Sequence, residues 1–217
     1  STALIVLLFD VIVGSYCIYK ARKIDAKLLK ITGLTIFFTG TLWMGPSSDF
    51  LVILFTQSNI EPFWLYGMLS YMWAAPAIFF AMYLGAELLI PKKKMIFIIT
   101  YLVLGILYEI FLFTNLEGSF YYTFPETPGE NLIDTSNRIG PTFILIGIFL
   151  LSTLIFNGLG FLNKALQATG VIRKKFLSLS IGFIIFSITT VFDALIPPGL
   201  LLPIVRIGII ISGILLF

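Results

Sequence analysis

Residues 63–114 read FWLYGMLSYMWAAPAIFFAMYLGAELLIPKKKMIFIITYLVLGILYEIFLFT, two long apolar runs joined by Pro91-Lys92-Lys93-Lys94. A helix of about 20 mostly apolar residues crosses the roughly 30 Å hydrocarbon core of a bilayer. Each run is at least that long. The proline stops the first run and the lysines keep the joint in water, so the stretch predicts two antiparallel transmembrane helices. Outward from this pair the pattern recurs and predicts seven spans, at 2–20, 28–45, 63–90, 94–114, 141–163, 175–196 and 201 to the end. The expected fold class is all-α: one seven-helix transmembrane domain over residues 1–217, with the N-terminus outside and the C-terminus inside.

Composition leads to the same class. With mean hydropathy +1.04, 59% hydrophobic residues and 12% charged residues, 217 residues cannot cover a soluble globule with polar surface. The net charge of +3 does not point to nucleic acid, because its carriers flank the apolar runs. Twelve of the fourteen Lys and Arg lie in three joints: Lys20, Arg22, Lys23, Lys27 and Lys30; Lys92, Lys93 and Lys94; Lys164, Arg173, Lys174 and Lys175. Cytoplasmic loops carry such an excess. The other connections hold Arg138 with Asp49, Glu61, Glu117, Glu126, Glu130 and Asp134, flanked by Trp43, Trp64, Tyr66, Tyr121 and Tyr122, which suits an outer interfacial belt. The expected location is therefore an integral, multi-pass protein of a prokaryotic plasma membrane.

Two outer connections are more than turns. Residues 46–62 follow Gly45, open with Pro-Ser-Ser-Asp and run on through Phe50 to Phe55, a helix-start signal that predicts a short helix on the outer rim. Residues 115–140, with Pro125, Pro128, Gly129 and paired aromatics, predict a hairpin or lid over the bundle, against the simpler reading of a passive connection. Segments Lys27-Leu28-Leu29 and Phe38-Thr39-Gly40-Thr41 align at one offset with Lys175-Phe176-Leu177 and Phe186-Ser187-Ile188-Thr189. That match is weak. The Pro-Gln pair of three-plus-one-plus-three sugar carriers is missing.

Ionisable side chains inside hydrocarbon are costly and mark candidate sites. Asp10, Glu109, Asp193 and Arg206 all fall in the outer half of their spans. The Pro197-Pro198-Gly199 turn would bring Asp193 and Arg206 together as an ion pair. Such a pair can be a purely structural clasp. As a site, Arg206 would anchor an anionic headgroup or carboxylate, completed by Asp10 or Glu109. In the third span, Ala77, Ala81 and Gly85 form a small-residue stripe, Pro76 predicts a kink above it, and Tyr71 and Trp73 would line a pocket on the outer side, where packing alone is the competing reading. Ser178, Gly182, Ser187, Thr189 and Thr190 predict contacts between helices.

Absences narrow the chemistry. There is no histidine, hence no usual neutral-pH proton shuttle or common zinc ligand, and the lone Cys17 has no intrachain disulfide partner. Every lysine lies in or beside a basic joint, so none can form a retinal Schiff base within the membrane. Walker, Rossmann, Asp-x-x-Asp and potassium-filter patterns are also missing. No cofactor or metal is expected.

Trp43 at the end of the second span, Leu69-Ser70-Tyr71 through Pro76, and Asp193 to Arg206 across the last turn resemble the seven-helix sensor region found ahead of many prokaryotic histidine kinases and cyclases. The resemblance implies sensing of a ligand or of membrane state, passed through the last helix to a cytoplasmic signalling partner. The chain differs from full kinases in having no catalytic domain and no histidine to phosphorylate. The expected function is a receptor-like module that binds a small amphipathic or lipid-like ligand at Asp10, Tyr71, Trp73, Glu109, Asp193 and Arg206 and signals through its sixth and seventh helices. Membrane lipids are expected partners, oligomerisation stays open, and a small-solute or lipid transporter is the alternative. Less favoured is a lipid-modifying enzyme built on Asp10, Glu109 and Asp193.

Overall fold

The structure, a computed structural model, describes residues 1–136, 140–196 and 201–216. Arg138 and the Pro197-Pro198-Gly199 turn lie outside the described residues. The helices are α1 (Thr2–Lys23), α2 (Lys27–Thr41), α3 (Met44–Thr56), α4 (Trp64–Tyr71), α5 (Ala74–Leu89), α6 (Lys94–Thr114), α7 (Gly140–Ser152), α8 (Gly160–Gln167), α9 (Gly170–Leu195) and α10 (Leu201–Leu216). A π-helical stretch, Thr153–Leu159, joins α7 to α8. Among the described residues, five helical segments are long and apolar enough to cross a membrane: Thr2–Lys23, Trp64–Leu89, Pro91–Thr114, Gly140–Gln167 and Gly170–Leu195. A sixth arises if α2 and α3, bent by 47°, count as one span. The protein is an all-helical, polytopic membrane protein.

Two helix breaks in the first half, α2 to α3 and α4 to α5, share one cause. Pro46 and Pro76 have no N–H to offer the carbonyls of Leu42 and Met72, and their rings crowd those carbonyls. The chain therefore interrupts its helices one turn earlier, at Trp43 and Trp73, whose dihedrals are nearly the same (φ −91°, ψ 13° and φ −89°, ψ −7°). A Trp-x-x-Pro pattern thus occurs twice and acts twice. The expected second span, 28–45, accordingly turns at Trp43, and the rim helix expected within 46–62 begins earlier, as α3 at Met44. The helix expected over 175–196 also starts earlier, at Gly170. Thr169 precedes its first turn, and Arg173, Lys174 and Lys175 lie within the helix, where their aliphatic stems can run along apolar surface.

The helices close a ring in which α10 touches α1, α1 packs on α2, α2 on α5, α5 on α6, and the π stretch on both α5 and α9. The α1–α2 crossing is set by glycine. A Cβ on Gly14 would stand 2.7 Å from the Phe37 nitrogen, and one on Gly33 would stand 2.8 Å from Cys17 Cβ. Cys17 is fully buried there. At the end with the lysine-rich joints, Glu87 accepts from Lys94 at 3.0 Å and from Lys27 at 3.2 Å, tying α2, α5 and α6.

At the opposite end, β1 (Tyr121–Thr123) pairs antiparallel with β2 (Asp134–Ser136), with Tyr122 opposite Thr135. The expected hairpin exists, and Asp49 holds it down. Its fully buried carboxylate accepts the Ile60 N–H at 2.8 Å, the Ile133 N–H at 2.9 Å and the Asn59 amide at 3.1 Å. Asn59 in turn donates to the Asn131 carbonyl at 2.9 Å and accepts the Gly129 N–H at 2.8 Å. One acidic side chain thereby joins α3 to both connections at this end, and Ile60, Tyr66 and Ile133 form a small core beside it.

Two stability measurements follow. Gly33→Val forces the α1–α2 backbones apart and should destabilise by about 1–3 kcal/mol, seen as a lower melting temperature in detergent or nanodiscs. Asp49→Ala leaves two buried N–H groups without acceptors, each costing about 1–3 kcal/mol. Limited proteolysis should then cut within 115–136 well before the helices melt, and unchanged protection there would rule out the anchoring role.

Candidate functional site

The ring holds a cavity of about 200 Å³ whose wall comes from α2, Pro46 of α3, α4, α5, α7, the π stretch, α9, α10 and residues Leu132–Thr135 of the hairpin segment. An apolar cavity of about 150 Å³ already admits benzene, so this one is large enough for a ligand. At the hairpin end its wall is polar, with Tyr66, Tyr71, Asp134, Thr135, Thr190, Asp193 and Arg206. Deeper, the lining is Ala77, Ile78, Ala81, Phe149, Phe183 and Leu216. Even the deep threonines are turned away from polar service: Thr35 and Thr153 donate to Ile31 and Phe149 carbonyls of their own helices, at 3.0 and 2.9 Å.

The expected ion pair is present. Arg206 Nε donates to Asp193 Oδ1 at 2.9 Å, with the two side chains only 8% and 17% exposed. Trp43 Nε1 donates to the other carboxylate oxygen at 3.1 Å, and Arg206 Nη1 donates to the Thr2 hydroxyl at 3.1 Å. The Trp43 turn is what aims the indole at Asp193. This cluster joins α1, the α2–α3 bend, α9 and α10 through side chains alone, on the cavity wall. Among the described residues, two of the five guanidinium N–H donors are engaged.

Of the six expected site residues, Tyr71, Asp193 and Arg206 meet at this cavity. The other three do not. Asp10 is buried where α1 crosses α2 and α10, against Gly40 and Gly213. Trp73 faces Phe38, with ring centroids 6.1 Å apart. Glu109 borders a separate, more open groove of about 630 Å³ between α5 and α6, beside Pro76 and Gly105. Asp10, Glu109 and Asp193 therefore occupy three different interfaces. Among the described residues no group of three or more Asp, Glu or Cys side chains could hold a metal ion.

Asp10 Oδ1, both Glu109 oxygens, the Trp73 indole N–H and the Thr190 hydroxyl are buried with no hydrogen-bond partner among the described residues. Outside the spans, burial pushes the Tyr122 hydroxyl up to about 12, helped by the nearby Tyr71 and Glu117.

Sequence reasoning passed over Asn157. Its amide donates to the Ala81 carbonyl at 2.9 Å, while Ser180 on α9 donates to the Gly158 carbonyl at 2.8 Å, so the π stretch is stitched to both neighbours. A side chain on Gly85 would collide with Asn157 Oδ1. The small-residue stripe of α5 thus serves two ends: Ala77 and Ala81 border the cavity, and Gly85 admits Asn157. Ser178, by contrast, makes the expected interhelical bond, donating to the Leu215 carbonyl of α10 at 2.6 Å.

Removing one member of a buried ion pair costs about 3–5 kcal/mol, whereas replacing both by apolar groups is often neutral. Arg206→Ala should therefore lower stability by an amount of that order, and Asp193→Leu combined with Arg206→Met should recover most of it, measured by unfolding in a mild detergent. A single variant melting like the wild type would show that the pair does not hold the helices together. Compared with protein-family models and with curated proteins, the chain matches none.

Proposed function

We propose that this protein is a receptor-like membrane sensor, with seven spans, N-terminus outside and C-terminus inside, in a prokaryotic plasma membrane. A small amphipathic or lipid-like ligand occupies the central cavity from the outer side. Occupancy changes the packing of α9 against α10, the sixth and seventh spans, and a cytoplasmic partner reads the change. The positive-inside rule supports the orientation, since the lysine-rich joints cluster at the end opposite the hairpin. In this reading the bent α2–α3 pair forms the second span and α10 the seventh.

The observation that carries the proposal is the position of the Asp193–Arg206 pair, on the cavity wall and between the two helices that would signal. A ligand touching this pair acts on the α9–α10 contact directly. At the other end Ser178 holds α9 to the Leu215 carbonyl, so a change at the cavity is delivered along a joined pair.

Spin labels at Ile172→Cys and Ile214→Cys, both exposed positions toward the lysine-rich end, report the α9–α10 distance in a Cys17→Ala background. Opening the pair with Asp193→Asn should shift or broaden that distance distribution. Native mass spectrometry of the wild type should show a retained small amphiphile. An unchanged distance together with an empty cavity defeats the sensor reading, and solute flux into proteoliposomes that is lost in Arg206→Ala would replace it with transport.

A further inference from the structure

The shape and polarity of the cavity specify its occupant more narrowly than the word amphipathic does. Leu202 and Leu216 both border it, fourteen residues apart on one helix, so at 1.5 Å per residue it reaches about 21 Å along α10. A volume near 200 Å³ spread over that depth leaves room for one chain abreast, not two. The polar lining gathers toward the hairpin end, where Thr39 adds a hydroxyl one turn below Trp43, and the deeper Thr35 and Thr153 donate their protons to their own helices, so the lower shaft offers an occupant mainly apolar contact.

The headgroup is constrained by charge. Asp193 already neutralises Arg206 at 2.9 Å, so an anionic head either displaces that carboxylate or, on the remaining N–H donors, adds an uncompensated buried charge beside Asp193 and Asp134. A cationic head would compete with the guanidinium for Asp193, and Asp134 on the same wall is already engaged. An uncharged group that both donates and accepts meets neither obstacle. Among the described residues, Arg206 has N–H donors left over, and Asp193, which accepts one bond at each oxygen, keeps lone pairs for a further donor. We infer that the cavity binds a single-chain amphiphile with an uncharged, hydroxyl- or amide-bearing head, the head resting on the Asp193–Arg206 pair and the chain descending past Ala77 and Ala81. The inference rests on the ligand-binding reading proposed above and specifies its ligand.

The test uses the full chain in phosphatidylcholine nanodiscs, with melting temperature and native mass spectrometry as readouts. The probes are mono-octanoyl-, monolauroyl- and monopalmitoylglycerol, with free glycerol, ionised laurate and lauryltrimethylammonium as comparisons. Melting temperature should rise with chain length across the monoacylglycerols. It should rise less with laurate or the ammonium, and not at all with glycerol. Ala81→Phe and Ala77→Leu, which fill the shaft, should abolish the chain-length dependence.

Equal or greater stabilisation by laurate or lauryltrimethylammonium overturns the uncharged head. An effect of glycerol as large as that of the esters overturns the chain. Plugged variants that respond like the wild type show that the amphiphiles act through the bilayer, which also overturns it. Should neither variant fold, the comparison of heads and of chain lengths on the wild type still decides. Each of these failures leaves the ligand-binding reading standing. A cavity that is empty in native mass spectrometry and indifferent to every probe removes both.

Discussion

A guanidinium surrounded by hydrocarbon must find its hydrogen-bond acceptors within the protein, and Arg206 finds them on two other helices. Its bond to Asp193 fixes α10 against α9, and its bond to Thr2 reaches the first turn of α1. The Trp43 indole shares the same carboxylate, so the bend between α2 and α3 is drawn into the cluster. Lipid tails are as apolar as leucine, so little hydrophobic force draws one transmembrane helix to another, and close packing with a few polar bonds decides which helices meet. The arrangement of the ring and the wall of the cavity at its polar end both depend on this cluster.

Elsewhere the same scarcity of polar partners is met by contacts between side chains and backbone. Asp49 gathers two backbone N–H groups and an amide from connections that would otherwise leave them stranded at the rim. Asn157 and Ser180 do comparable work around the π stretch, where the regular helical ladder is disturbed. Most other buried hydroxyls, including those of Thr35, Ser70, Thr153 and Ser187, bond back to the preceding turn of their own helix and so leave apolar faces toward their neighbours.

The sequence was most readable where one physical rule acts over a long window. Apolar runs bounded by lysine located the helices, and the Asp193–Arg206 pair could be expected because two opposite charges flank a short turn. It was least readable where a single side chain reaches across the chain. Asp49 looks like a loop acid, yet its partner Ile133 is eighty-four residues away. Trp43 looked like a belt residue, and nothing local says that its indole meets Asp193, one hundred and fifty residues on. Glu109 and Asp10 share the hairpin half of the bundle with Arg206, but depth alone does not say which interface a residue faces. The two Trp-x-x-Pro breaks were within reach, since each proline identifies the carbonyl it deprives.

The π stretch has a consequence for the phase of the helix that contains it. Phe149, Thr153, Asn157, Phe161 and Ala165 are all buried, at strict intervals of four. In an ideal α-helix the sixteen residues from the first to the last would overshoot whole turns by about 160°, carrying the last members of the series round to the lipid side. The wider turn at Thr153–Leu159 takes up much of that overshoot, so that Phe161 can still stack on Phe176 and Phe183, with ring centroids 6.0 and 5.9 Å away. Residue number along this helix is therefore a rotational coordinate. Losing one residue there would shorten the helix slightly but would swing every side chain below the turn to a new bearing.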